Sequence, residues 1–266
     1  MARIALVAGA GRLPVIFSDM AREKGDTVIA FCLKGVTDKE LEKHVHKAHW
    51  FEWSELKKAL FVLVTERIKS IIMLGKLKKE DLFRKSGSVG EEASKMIVKS
   101  DKKDYSLLNE TAKMLGKLGV EVIDSTTYLK EMIPQKGAIT KRSPDGTEPE
   151  DIKCGREVAK ALSGFDIGQT VAVKDKTVIA VEAAEGTDEA ISRAGSLVKN
   201  GFVVVKVARP NQDMRFDVPL VGLDTVKSLA AAGATALALE AGKMLLIDKE
   251  EIIKLAEEKN ISIIAI

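Results

Sequence analysis

Hydrophobic and polar positions follow two rhythms along this chain, and the change falls near its middle. In the first half, short apolar runs are separated by helical stretches. Ile4 to Ala8 reads as a strand, Pro14 to Lys24 as a helix closed by Gly25, and Thr27 to Leu33 as a second strand. Ala48 to Trp53 is a third strand candidate, and Glu55 to Lys69 a helix with Leu56, Leu60, Leu63 and Val64 at helical spacing. Ser70 to Leu74 is strand-like and ends in Gly75-Lys76. A helix carrying Leu107, Leu108, Ala112 and Leu115 leads through Gly119 to the strand Val120 to Ile123. Strands alternating with crossover helices imply a mainly parallel, doubly wound sheet.

Between Ile133 and Pro149 the rhythm stops. Pro134, Gly137, Pro144, Gly146 and Pro149 punctuate this stretch, which predicts a first domain over 1–132, a linker over 133–149 and a second domain over 150–266. Thr147 to Glu150 matches a capping box opening a helix that stops at Gly164. Thr170 to Val173 and Val178 to Val181 then alternate about a Lys-Asp-Lys turn, a hairpin signal absent from the first half. Helices and strands follow, with Thr187, Asp224 and Asp248 as N-cap candidates, and Ile261 to Ile266 closes the chain as a buried strand. The second domain is therefore expected to be mixed α/β, with no internal repeat.

Composition narrows the class. The chain has 266 residues, 45% apolar and 30% charged, enough to bury two ordinary cores. Its 42 basic and 39 acidic residues nearly balance, so no global field calls for nucleic acid. Cys32 and Cys154 match no metal spacing and suit a reduced, cytoplasmic setting. The first apolar run is too short for a signal peptide, and no stretch approaches the ~20 apolar residues of a membrane span.

The candidate chemistry lies at strand ends. Gly9-Ala-Gly11-Arg-Leu-Pro14 follows a strand and opens a helix, where backbone N–H groups and the positive helix end suit phosphate. Pro14 replaces the third glycine of a dinucleotide fingerprint, and Leu33-Lys34 stands where a NAD site wants an acid, so a classical NAD site and a reductase are disfavoured. A purely structural tight turn remains the alternative. Gly75-Lys76 and Asp124 end strands on the same edge. There a lysine could neutralise a diphosphate, or could simply belong to a lysine-rich loop. Glu182 to Asp188 forms an acidic Gly-Thr helix start that either caps its helix or sits beside phosphate, and Lys206 and Arg209 would add positive charge. His44, His46 and His49 lack a neighbouring carboxylate or cysteine and are weak as metal ligands. Asp213, Arg215 and Asp217 fall within five residues after an apolar run. On a strand they would share one face, with Met214, Phe216 and Val218 on the other. That face suits a divalent metal and a phosphate, but spacing alone favours a solvated ion-pair ladder.

Long motifs carry a resemblance nearly end to end. They are VAGAGRLP (Val7–Pro14), GK (75–76), ALSGFDIGQTVAV (Ala161–Val173), AVEAAEGTDEAISRAG (Ala180–Gly195), VKVARPNQDMRFDVPLVGLDT (Val205–Thr225) and LALEAGKMLLID (Leu237–Asp248). In these the chain resembles the two-domain UDP-2,3-diacylglucosamine pyrophosphatases of lipid A biosynthesis, which are unrelated to the calcineurin-like phosphoesterases. Ala10 stands where such enzymes commonly carry a glycine. The resemblance implies Mg²⁺-dependent hydrolysis of UDP-2,3-diacylglucosamine to UMP and 2,3-diacylglucosamine 1-phosphate, with attack at the β-phosphorus. It also implies a Rossmann-like nucleotide-binding first domain, a catalytic second domain and a homodimer; the lipid substrate allows peripheral contact with the inner membrane. On this reading Gly9, Gly11, Leu13, Gly75, Lys76, Asp124, Gln169 and Thr187 bind substrate, Asp213 and Asp217 hold metal or activate water, and Arg215 stabilises phosphoryl charge. The rival from another class is a non-catalytic nucleotide-sugar binding module.

Overall fold

A computed structural model describes residues 1–76 and 104–266, with the side chains of 104–108 outside that description. The lysine-rich continuation of Gly75-Lys76, and Leu107 and Leu108 as side chains, lie outside the described residues. The fold is α/β. The chain divides into two compact units, Met1–Leu129 with Asp213–Asp217, and Lys130–Gln212 with Val218–Ile266. Among the described residues no helix is long and apolar enough to cross a membrane.

The first unit runs β1 (Arg3–Ala8), α1 (Leu13–Glu23), β2 (Thr27–Leu33), a 3₁₀ turn (Lys39–Lys43), β3 (Lys47–Phe51), α2 (Leu56–Thr65), β4 (Ser70–Leu74), α3 (Asp104–Lys117) and β5 (Glu121–Val122). Its sheet is wholly parallel in the order β3-β2-β1-β4-β5, so the order reverses between β1 and β4. Central strands buried on both faces read as continuous apolar runs, as Ile4, Ala5 and Leu6 do. α2 stops four residues before the expected Lys69 because Arg67 takes a left-handed conformation (φ 53°). The Ile68 N–H then returns to Leu63 O at 3.0 Å, a Schellman closure that sends Ile68 into the core.

The turns after β1 and β4 press against each other. Gly9 N donates to Leu74 O (2.8 Å), and Ala10 and Lys76 exchange backbone bonds of 2.9 Å in each direction. A Cβ built on Gly75 would lie 2.7 Å from the carbonyl carbon of Gly9, and one on Gly9 equally close to that of Gly75. These two glycines are fixed by backbone approaching backbone.

The second unit contains β6 (Gly137–Ala138), α4 (Glu148–Gly164), β7 (Thr170–Lys174), β8 (Thr177–Val181), α5 (Thr187–Val198), β9 (Phe202–Lys206), β10 (Leu220–Val221), α6 (Leu223–Ala232), β11 (Ala234–Leu239), β12 (Leu245–Leu246), α7 (Lys249–Glu258) and β13 (Ser262–Ala265). Its mixed sheet runs β6-β13-β11-β9-β7-β8, with β10 and β12 forming a separate parallel pair. β9 divides its side chains by the period of two. Phe202 and Val204 join Ile191, Leu229 and Leu237 on one face, while Val203 and Val205 join Ile152 and Ala159 of α4 on the other.

Three local expectations change. The stretch 133–149 does not run clear of the second unit. Gly137 and Ala138 pair antiparallel with β13, and Arg142 forks onto Glu148 (2.8 Å twice) while also reaching Thr235 O. Thr147 makes no side-chain capping bond, because Glu148 is the residue that captures the Asp145 N–H (2.9 Å). The hairpin turns on two residues, Asp175 and Lys176, both at positive φ (49° and 60°), as a tight primed turn requires. Their N–H groups both donate to Asp151, which is 2% exposed, at 3.0 and 2.6 Å.

Gly75→Ala is expected to cost about 1–3 kcal/mol, since backbone atoms must move to admit the methyl; a fall in melting temperature checks this. Burial pushes the Glu148 carboxyl up, but the Arg142 fork, Thr235 and the Asp145 N–H bring it below its ordinary value. A lowered folded-state value means stability present above the unfolded carboxylate range, about 4.3, and lost as pH falls through the folded value. Glu148→Gln should therefore flatten the acid limb of the stability curve below about pH 4. At neutral pH it should cost about 1–3 kcal/mol, by removing the carboxylate on which Arg142 forks; urea melts across pH read both effects.

Candidate active site

The carboxyl ends of β1, β4 and β5 form the edge at which open parallel sheets take ligands, beside the point where strand order reverses. Gly11 (φ 96°) makes the turn into α1, with Leu13 buried beneath it and Pro14 in the first helical turn. Thr37 ties β1 to β2, donating to Ala8 O and accepting from the Leu33 N–H. Of the residues expected here, Asp124 is occupied locally: its carboxylate accepts from Thr126 N (2.7 Å) and Thr126 Oγ1 (2.6 Å). That is a turn-closing role.

The Asp213–Asp217 segment belongs to this unit and is a compact turn, so the strand-face expectation is corrected. Phe216 N and Asp217 N both return to Asp213 O (3.2 and 3.3 Å), and Asp213 Oδ1 accepts the Arg215 N–H (3.1 Å). This local bond is what Asp offers a chain in place of a strand ladder. The side chains do not alternate across a sheet. Phe216 packs into the first unit's core, and Asp217 is exposed. Arg215 forks back onto Asp213 (Nη2 to Oδ2 2.7 Å, Nε to Oδ1 3.0 Å), reaches Asn109 Oδ1 (2.9 Å) and lies over the Phe216 ring at 4.8 Å. The Arg215 guanidinium holds the Asp213 carboxyl below its usual range, against a smaller upward push from burial.

Ser125 fixes where this turn sits. Fully buried one residue after Asp124, it donates its N–H to Met214 O (3.0 Å). Its hydroxyl lies 2.9 Å from Met73 O and 3.0 Å from Arg215 O. The turn is thus pinned beside the end of β4, one residue before Gly75. Neither Ser125 nor Asn109 was legible as a site residue; a serine after an apolar strand and an asparagine on a polar helix carry no motif.

Gln169 and Thr187 lie in the second unit, in another polar group. β9 and β11 end, β7 begins and β8 ends at one edge of the mixed sheet. There Lys206, 9% exposed, donates to Thr187 Oγ1 (2.8 Å), which donates to Glu182 Oε1 (2.9 Å); Glu182 Oε2 accepts the Gln169 N–H (3.3 Å). Thr187 is therefore not the N-cap, and Gly186 (φ 91°) holds that position. The Gln169 amide donates to Val207 O (2.9 Å) and accepts from Arg209 (3.0 Å), which also pairs with Asp166 (2.6 Å). Glu240 receives Lys160 (2.6 Å) and the Ala208 N–H (2.8 Å). Burial pushes its carboxyl up, and these donors bring it below the ordinary value. Sequence reading missed Glu240 and Lys160.

The histidines separate to different partners: His44 to Asp19, His46 to the Val28 N–H and His49 to Glu66. Among the described residues no three His, Cys, Asp or Glu side chains converge as a metal cage. Mg²⁺ commonly needs fewer, using one or two carboxylates with substrate phosphates. The Asp213 and Asp217 oxygens are of that kind, although Asp213 spends most of its lone pairs on Arg215.

Comparison with known proteins gives a full-length match to the protein named UDP-2,3-diacylglucosamine pyrophosphatase LpxI of Caulobacter vibrioides. It is 26% identical over 276 residues, covering 100% of this chain and 98% of that one. Among solved structures, N5-carboxyaminoimidazole synthetase from Staphylococcus aureus with ADP aligns at 14% identity and a TM-score of 0.27, over 65% of this chain and 32% of that chain. Biotin carboxylase from Campylobacter jejuni aligns at 12% and 0.28, over 73% and 41%. This chain thus spans well under half of those two chains, and likeness at that level carries no weight. Residues 3–132 match the LpxI N-terminal domain and residues 135–264 the LpxI C-terminal domain, and the chain belongs to the LpxI family.

Proposed function

We propose that this protein hydrolyses the diphosphate of UDP-2,3-diacylglucosamine, with Mg²⁺, to UMP and 2,3-diacylglucosamine 1-phosphate. Family membership and the full-length relative's name support the substrate and reaction class. The observation that carries the site is the Asp213–Asp217 turn, pinned by buried Ser125 at the carboxyl edge of the first unit's parallel sheet. A turn held by backbone bonds at that edge is pre-organised, as charge-stabilising groups must be to act without reorganisation.

Roles follow from the bonds of Asp213 and Arg215 and from the exposure of Asp217. Asp213 orients Arg215, since both of its oxygens are engaged by the guanidinium and backbone of that residue. Arg215, its Nε and Nη2 held by Asp213 and Asn109, offers its remaining N–H groups to phosphoryl oxygens as charge builds on them. Asp217, exposed at the end of the turn, is the main carboxylate for metal and water, with Asp213 contributing its remaining lone pair. Mg²⁺ when bound supplies charge neutralisation at the phosphate oxygens. Water adds at the β-phosphorus as the bond to the bridging oxygen breaks, and that oxygen leaves on UMP. Gly11, Gly75 and Lys76 line the first unit's edge for the nucleotide, with buried Gly9 and Leu13 shaping the turn beneath. Gln169 and Thr187 are the second unit's substrate-binding candidates, and Asp124 acts by shaping its own loop. The same reading carries a homodimer and peripheral contact with the inner membrane through the lipid.

Incubation with UDP-2,3-diacylglucosamine and Mg²⁺ should release UMP, and a chelator should stop it; substrate retention without turnover would instead mark a binding module. In heavy-oxygen water the label should appear in the sugar phosphate and not in UMP. Asp217→Asn should lower kcat by about 10²-fold or more while leaving the melting temperature within a few degrees. Asp213→Ala should abolish turnover, and Arg215→Lys should cost a similar factor, because an ammonium cannot fork. Wild-type rates in these variants would overturn the role assignment.

A further inference from the structure

β3 ends at Phe51, two residues short of the expected Trp53, because the chain turns at Trp53-Ser54 and Glu55 accepts the Glu52 N–H (2.8 Å). Trp53 therefore stands beyond the carboxyl end of β3, on the ligand-facing edge of the parallel sheet. Its indole Nε1 is buried and has no acceptor among the described residues. Trp50, three residues earlier, donates its own indole N–H to Glu42. A buried donor without an acceptor costs about 1–3 kcal/mol, and tryptophan normally avoids it.

We propose that Trp53 recognises the uracil base of the substrate, its Nε1–H donating to a ring carbonyl and its indole face packing on the base. This rests on the nucleotide-sugar reading above. Three observations select a base over a phosphate. Glu52 and Glu55 flank Trp53, and Glu42 lies on Trp50. The nearby cations are already engaged, Lys34 with Glu52 (3.2 Å) and Lys58 with Glu55 (2.9 Å). Such surroundings repel phosphate but suit a neutral ring with carbonyl acceptors and an N–H of its own. Spacing agrees: β3 lies two strands from β1, roughly 10 Å at ordinary strand separation. That is about the reach of a nucleoside monophosphate whose phosphate sits on the Gly9–Pro14 turn. The β2–β3 ladder runs to this edge, the Lys34 N–H donating to Phe51 O (3.0 Å).

Trp50 and Trp53 are the chain's two tryptophans, so fluorescence reads the site directly. Titration of full-length Trp50→Phe with UMP should change the emission of Trp53, and ribose 5-phosphate should not. Trp53→Phe keeps a ring and loses the donor. It should bind UMP about fivefold to tenfold more weakly and raise KM by the same factor with kcat unchanged. Unaltered Trp53 emission with UMP bound, or equal UMP affinity in Trp53→Phe, overturns the assignment. These titrations need no turnover, so failure of the hydrolysis assay is a separate result.

Discussion

One buried serine determines how the candidate site is put together. Ser125 follows the short strand β5, and its N–H and hydroxyl meet the carbonyls of Met214 and Arg215, about 90 positions further along the chain. Its hydroxyl has one proton and two carbonyls within reach, Met73 O being the other. A backbone turn carrying Asp and Arg would otherwise prefer water. Here its carbonyls are satisfied inside the protein, and Phe216 is spent on the first unit's core. Each lost bond would leave a buried polar group costing about 1–3 kcal/mol. The turn's position is therefore set by stability, and the ionic side chains are carried to the sheet edge on it.

The second unit solves a related problem differently. Lys206 ends β9 and Glu240 directly follows β11, and both are nearly buried. Burying charge is costly unless it is paired and bonded. Lys206 is served through the Thr187 hydroxyl, and Glu240 by Lys160, Lys243 and a backbone N–H. A polar edge with this much internal satisfaction is stiff. Gln169, spanning Val207 O and Arg209, extends that rigidity to the loop after β9.

The apolar rhythm made most elements legible, since β2 and β4 fall on the expected residues and the doubly wound order follows from alternation. What misled was local mimicry. Asp-Met-Arg-Phe-Asp alternates like a strand, but Asp213 bonds its own backbone and Phe216 finds a distant core; only the first of these is written nearby in sequence. Thr187 and Thr147 have cap chemistry, yet Glu182 with Lys206 in one case and Glu148 with Arg142 in the other redirect the bonding through partners remote in sequence. Glycine was ambiguous for the same reason. Gly9 and Gly75 need each other's backbone, which neither motif states alone.

The membership of Asp213–Asp217 in the first unit also fixes an order of assembly. The chain leaves that unit after Leu129, builds β6 to β9 and α4 and α5 of the other, and only then supplies the five residues that Ser125 and Asn109 hold. During synthesis the bonds that Ser125 and Asn109 make to this segment can close only after β9 has emerged. The first unit is thus discontinuous in sequence, closed by five residues that lie deep in the second half of the chain.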